Sequence, residues 1–364
     1  METKSYTKAQ LEEFICSEQF NNLINIPISK HRAISQINNP RASDEDILLV
    51  VSFDENKVIG YLGILPDYIF FNDKTEKVGW LTCFWVDDEY KSQNIAASLF
   101  LRVIRAWKQQ ILITNIVPWL EPIYQKTKIF KPTVYKEGFR GYLRSNLAEI
   151  LPPKKKIFAR ISPFLKFIDL SVNLAFDLWI KLYRTYDLDN YRAENIENID
   201  KQDSDFIDLH KVNYWSQRSK TELDWITKYP WLIKGTEKDS ANSRYYFSAF
   251  SENFYNQKIK ITDIDNNIIG IIFLTIKDNN LNVPFVFVDK KNIDVISMFL
   301  TNKMLELKLN MITVFNYELS VSLNKIKTPF YFKKTIKKPY FITKKFDFLE
   351  DLYFQDGDGD CVFY

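Results

Sequence analysis

The chain has 364 residues, 46% of them hydrophobic and 26% charged, with a formal net charge of +3. This composition fits about two globular domains of ~150 residues each, and so small a cationic excess gives no electrostatic case for nucleic acid. Cys16, Cys83 and Cys361 lie far apart and the only histidines are His31 and His210, so neither a disulfide framework nor a metal site is expected. The start, METKSYTKAQLEEF, has no apolar leader and no run reaches the ~20 apolar residues of a membrane span, which points to the cytoplasm.

In chain order, Lys8 to Asn22 put Leu11, Phe14, Ile15 and Phe20 near one face, and Thr7 stands three residues before Gln10 as a cap, so a short helix is expected. Ile47–Phe53 and Val58–Leu65 read as strands joined by the turn Asp54-Glu55-Asn56-Lys57, with Pro66 ending the second. Tyr68–Phe71 continues as a strand. Lys77–Val86 reads as a strand buried on both faces, because its apolar run from Trp80 is too short for a buried helix and rich in aromatic and branched side chains. From Ile95, the residues Ile95, Leu99 and Val103 recur at helical spacing, so the polar turn Asp87–Asn94 joins a strand to a helix.

Such a junction suits an anion. The first N–H groups of a helix lack intrahelical partners and carry the positive end of its dipole. Ser92, Ala96, Ala97 and Ser98 are small enough to let a phosphate approach, and Lys91 adds a full charge. The stretch from Val86 through Lys91, Asn94 and Ala96 resembles the acyl-CoA-binding motif of the GCN5-related acyltransferases, written as Gln or Arg, two residues, Gly, one residue, Gly or Ala. Lys91 keeps the charge of Arg, and Asn94 replaces a glycine with the residue that most readily takes a left-handed backbone.

The resemblance implies that Phe84, Trp85, Val86, Lys91, Ser92, Gln93, Asn94, Ile95, Ala96, Ala97 and Asn115 bind acetyl-CoA or another acyl-CoA, without metal. It implies that Ile111–Val117 diverges from the strand before it, leaving room for the pantetheine arm, and that backbone N–H near Phe84 to Val86 holds the oxyanion. Tyr124, on a short helix between Pro118 and Lys128, stands where the family places a donor to the departing thiolate. Its alternative is an amphipathic ring covering the core. A general base is also required, and Glu121 is the candidate chosen, with Asp87 and Asp88 nearby. Pro132–Leu143 is expected to supply the last strand or two of this domain.

Pro152-Pro153 and Lys154-Lys155-Lys156 mark a break, followed over Ile157 to Tyr186 by a long amphipathic pattern. This stretch reads as a connecting helix, with a membrane-surface helix as the alternative. Beyond it the plan recurs: helices at Asp203–Tyr214 and Glu222–Ile226, strands at Tyr245–Phe250, Lys258–Thr262, Ile268–Ile276 and Asn282–Val288, a helix at Met298–Leu307 and a strand at Met311–Tyr317. In this half Asp289 to Asp294 offers no small-residue cluster, so no acyl-CoA is expected there. Aromatics from Tyr214 to Trp231 are expected to line an acceptor pocket, with Arg218 binding an acceptor carboxylate or phosphate. The acidic alternation Asp356-Gly357-Asp358-Gly359-Asp360 lacks the later Glu of a calcium loop and reads as a Gly-rich turn before a short strand.

The expected fold is α+β, two GCN5-related domains in tandem, each a mostly antiparallel mixed sheet flanked by helices: residues 1–150, a linker at 151–195, and a degenerate second domain at 196–364. The expected activity is transfer of an acetyl or other acyl group from acyl-CoA to an amine or hydroxyl of a small acceptor, such as an amino sugar or nucleotide sugar. The alternatives are a non-catalytic acyl-CoA-binding scaffold and a Fem-type aminoacyl transferase. No nucleic-acid partner and no membrane span are expected, and the sequence leaves the oligomeric state open.

Overall fold

The computed structural model describes residues 1–116, 121–152, 155–235, 244–349 and 352–361. The expectations for Val117, Pro118, Pro153, Lys154 and a strand after the Gly-rich turn fall outside the described residues. In the first part of the chain the order is β1 (Glu2–Thr7), α1 (Lys8–Cys16), α2 (Glu18–Asn22), α3 (Lys30–Ile37), β2 (Ile47–Asp54), β3 (Lys57–Phe71), β4 (Lys74–Val86), α4 (Ile95–Ala106), β5 (Ile111–Thr114), α5 (Glu121–Lys126) and β6 (Val134–Tyr142). The middle contributes α6 (Leu147–Ile150), α7 (Lys156–Arg160), α8 (Ser162–Leu182), β7 (Tyr191–Asn195), α9 (Lys201–Lys211), α10 (Lys220–Lys228) and the short pair β8 (Ile233–Lys234) and β9 (Phe250–Ser251). Then come β10 (Phe254–Asp263), β11 (Ile268–Lys277), β12 (Asn280–Val288), α11 (Ile293–Glu306), β13 (Met311–Val314), α12 (Tyr317–Lys325) and β14 (Phe332–Ile342).

The elements form two compact units. One comprises residues 1–136, 197–255 and 338–364; the other comprises 137–196 and 256–337. These do not coincide with divisions at 150 and 195, because strand pairing draws distant segments into each sheet. In the first unit, β1 to β4 run antiparallel in chain order, β4 and β5 are parallel, and Tyr340–Ile342 of β14 pair antiparallel with β5. The second unit repeats this order with β7, β10, β11 and β12, the parallel pair β12 and β13, and then β6, antiparallel to β13. Thus β6 completes the second sheet rather than the first, and a strand some two hundred residues later completes the first.

Local chemistry explains most boundaries. Thr7 and Gln10 form a capping box at α1, and Ser17 ends that helix and caps α2, splitting the single helix expected there. Pro66 does not end β3. It lies past the last β2 pair, Leu49 with Gly63, so its missing N–H removes no ladder bond, and β3 continues to Phe71. Alternation along β2 and β3 builds a core on each face of the first sheet. Val50, Ile59, Leu62 and Ile64 pack with Leu99 and Val103 of α4, whereas Leu49, Val51, Val58 and Tyr61 pack with Leu11, Phe14 and Phe20.

Candidate functional site

The site grows from the end of β4. Tyr61 of β3 faces Trp85 and Gly63 faces Thr82, so Leu62 alone opposes both Cys83 and Phe84. This is a β-bulge, and Cys83 carries its left-handed backbone at φ 48°. The bulge turns Phe84 and Val86 toward the α4 cluster and Cys83 and Trp85 toward the opposite one. Gly60 lets α4 lie close: a Cβ there would stand 3.0 Å from Ile95 Cγ2 and 3.1 Å from Leu99 Cδ1.

The turn after β4 is a 3-10 segment, Asp88–Gln93, capped by the Asp87 carboxylate accepting from the Glu89 amide. Its acids are held by bases. Lys57 pairs with Asp87 at 3.0 Å and Glu89 at 2.9 Å, and Lys91 with Asp88 at 2.5 Å. The Glu89 amide, followed by Lys57, keeps the Asp87 carboxyl below its ordinary range, so this group is pinned rather than poised to accept a proton. Asn94 then adopts φ 58° and ψ 18°, the left-handed backbone its substitution for glycine calls for, and opens α4 without a side-chain cap. The Ser98 amide makes the first intrahelical bond, to Asn94 O at 3.0 Å. Among the described residues no acceptor meets the amides of Ile95, Ala96 and Ala97. Lys91, Ser92, Gln93, Asn94, Ala96, Ala97 and Ser98 are exposed around them, and Ile95 is buried as the helix anchor. The corresponding turn in the second unit is built differently: Asn292 has φ −100°, and Asp294 stands in the first turn of α11, accepting from Ser322.

Beside this turn the sheet forks. β4 pairs with β5 only at Gly79 with Ile111 and Trp80 with Leu112, and β5 turns its other edge to β14. The segment 358–361 lies in the fork. Thr82 of β4 donates its hydroxyl to Asp360 at 2.7 Å, and Asn115, just past β5 with φ 53°, donates to Cys361 Sγ at 3.2 Å. Gly359, at φ +70°, presses on Trp80 so closely that a Cβ would meet the indole at 2.9 Å. Burial pushes the Cys361 thiol up to about 12, so it stays protonated. Behind Thr82, Arg32 donates to the Thr82 hydroxyl at 2.6 Å and to Tyr245 at 2.9 Å, with its guanidinium 3.8 Å from the centre of the Trp231 ring.

Each of the alternating acids of the tail therefore has a side-chain partner. Asp356 pairs with Lys338, Asp358 accepts from Arg218 at 3.2 Å, and Asp360 takes the Thr82 hydroxyl. Arg218 is wholly buried, donates also to Asp67 at 2.6 Å, and sits in an ion-pair network rather than on an open surface. Asp67 in turn binds Arg41 at 2.7 Å and the Trp80 indole at 3.0 Å, and Arg41 reaches Glu222 at 3.0 Å. Trp215 and Trp231 are buried core, in the first unit.

Burial alone would raise the Glu222 carboxyl, but Arg41 and Ser219 outweigh it and draw it from 4.5 to about 2. A carboxyl lowered on folding stabilises above its unfolded value and loses that contribution as pH falls through the folded one. Between pH 4.5 and about 2 this protein is expected to lose roughly 3 kcal/mol through Glu222. Denaturant midpoints measured across that window should fall less steeply in Glu222→Gln. Parallel curves for parent and variant would refute it. Asp358, raised by burial, acts with the opposite sign in both proteins and cancels in the comparison.

Tyr124 is 5% exposed and packs on Phe100, Phe130 and Phe341 in the cluster that also receives Phe84 and Val86; burial raises its phenol, which stays protonated. Glu121 accepts from the Tyr135 hydroxyl at 2.9 Å and from Gln125 at 3.2 Å, at the start of α5. The structure thus gathers Phe84 to Ala97 along one strand, turn and helix, sets Asn115 at the fork, and places Tyr124 in the adjoining core. Thr82, Arg32 and Asp360 were missed in the sequence. The buried arginine gave no local signal, and the Gly-flanked aspartates were legible as a turn but not as tail ligands of β4.

Residues 14–122 match the model of the acetyltransferase (GNAT) family. No curated protein matches the chain in sequence. Among solved structures, the chain is similar to a conserved Enterococcus faecalis V583 protein described as a probable N-acyltransferase, with TM-score 0.53 and 9% identity over 96% of this chain and 74% of that one. It is also similar to a GCN5-related N-acetyltransferase from Anabaena variabilis ATCC 29413, with TM-score 0.50 and 12% identity over 93% of this chain and 72% of that one. At such identities the likeness is one of fold.

Proposed function

We propose that this chain, which carries a GNAT-superfamily domain over residues 14–122, transfers an acyl group from acyl-CoA to the amine or hydroxyl of a small acceptor. The observation that carries the reading is the left-handed Asn94 opening α4 directly after a bulged strand, with three amides that no described residue accepts from. Those amides and Lys91 fit a pyrophosphate, and the exposed Ala96 and Ala97 leave it room. When bound, acyl-CoA supplies an acyl group already activated as a thioester. Backbone N–H groups of the bulged segment Phe84 to Val86 orient and polarise the acyl carbonyl. Tyr124, kept protonated by its apolar surroundings, holds a proton at Oη for the leaving sulfur. Two carboxylates are candidates to take the acceptor's proton: Glu121, and Asp360 at the fork. On the other face of β4, Trp85 and the exposed Tyr246 stand 5.7 Å apart between ring centres, a surface suited to the flat apolar face of an amino sugar or nucleotide sugar.

The melting temperature with millimolar acetyl-CoA and longer acyl-CoAs tests the reading. A ligand at a hundred times its dissociation constant adds ~2.7 kcal/mol, a rise of several degrees. No shift with any acyl-CoA would overturn it.

A further inference from the structure

Helix α8 turns a largely polar, hydrogen-bonded face inward and an apolar face outward. The inner one is used. Leu165 is buried, Asp169 accepts from Ser145 at 2.6 Å and from the Leu147 and Ala148 amides at 2.8 Å, Asn173 exchanges hydrogen bonds with Ser145, and Asp177 meets Arg144 at 3.3 Å. The outer face presents Phe164, Phe167, Leu170, Leu174, Leu178 and Leu182 at steps of three or four residues. Phe167 is 65% exposed, Leu174 62% and Leu182 85%. A soluble helix ordinarily gives its solvent side to polar residues, and a row of six large apolar side chains there needs a cover.

The charges say what kind. Both acids of α8, Asp169 and Asp177, are held on the inner side. Lys166 and Lys181 on the helix, Lys155 and Arg160 before it and Arg184 after it are exposed. By helical spacing Lys181 falls within the apolar row and Lys166 beside it, with no acid of the helix among them; beyond the helix the exposed Arg184 is followed by the exposed Asp187 and Asp189. A second copy seated on this face by a two-fold axis would bring Lys166 and Lys181 against like charges. An acidic lipid surface would meet both features at once, the apolar row entering the acyl boundary while the cations lie among the headgroups. No helix among the described residues is long and apolar enough to cross a membrane. We infer that the outer face of α8 binds the surface of an anionic bilayer.

The test is cosedimentation of the full chain with vesicles of phosphatidylcholine alone and of phosphatidylcholine with phosphatidylserine, at low and high salt. The parent is expected to sediment with the anionic vesicles and to release as salt rises. Lys166→Gln and Lys181→Gln should each weaken that binding about fivefold. The double variant Phe167→Glu, Leu174→Glu should lose it while melting as the parent does, since both side chains are exposed. Absence of binding to anionic vesicles, equal binding to neutral ones, or undiminished binding by the double variant would each overturn the inference. A parent that is dimeric in solution, made monomeric by the double variant and indifferent to vesicles, would assign the face to a second copy instead.

Discussion

Ala96→Glu is expected to weaken acetyl-CoA binding at least a hundredfold while leaving the melting temperature of the free protein unchanged. The residue is exposed in the first turn of α4, where a carboxylate is compatible with the helix itself and even favoured by its dipole. The same carboxylate would occupy the space in front of the Ile95 to Ala97 amides and repel a pyrophosphate. Stability and affinity should therefore part company, which titration calorimetry and thermal melting can read separately. The companion Asn94→Gly should bind as the parent does, because the left-handed backbone at φ 58° is what the turn requires and glycine adopts it freely. Parental affinity in Ala96→Glu would remove the assignment of this turn. Lost affinity in Asn94→Gly would show that the Asn94 side chain itself touches the ligand.

Arg218→Ala is expected to cost about 3–5 kcal/mol of stability, the second large effect. Asp67 and Asp358 both lie buried against this guanidinium, and its removal leaves two carboxylates sharing a low-dielectric site with Arg41 alone. Arg218→Lys should recover only part of the loss, since an ammonium on a flexible stem cannot replace a planar fork that reaches Asp67 through Nη2 and Asp358 through Nε. Denaturant midpoints measure this directly. If Arg218→Ala were as stable as the parent but raised the KM for the acceptor, the substrate-binding role expected from the sequence would stand instead.

Much of the first unit was legible because its signals are local. The capping box at Thr7, the alternation in β2 and β3, and the helical repeat from Ile95 each depend on residues a few positions apart. The turn at Asn94 was legible for the same reason: few non-glycine residues tolerate that backbone, and asparagine is foremost among them. What the sequence hid depends on long-range pairing. Nothing near Val134 says that β6 joins β13, and nothing near Tyr340 says that β14 joins β5. The same holds for Arg218. A charge among aromatics reads as a binding group until Asp67 and Asp358, 151 and 140 residues away, are seen on either side of it.

The completion of the first sheet by β14 also sets a timetable. Residues 338–342 leave the ribosome some two hundred residues after β5, a delay of roughly 10 to 40 s at ~5–20 residues per second. Throughout that interval the nascent β5 presents a bare edge, and Thr82 waits for Asp360. The stretch that matches the family model is thus finished early in synthesis, and its partners in β14 and at Asp360 arrive late. A fragment ending near residue 136 would be frozen at that unfinished stage, inviting edge-to-edge association between copies. The turn at Asn94 and the segment that reaches Thr82 from the far end of the sequence belong to one chain and are best studied together.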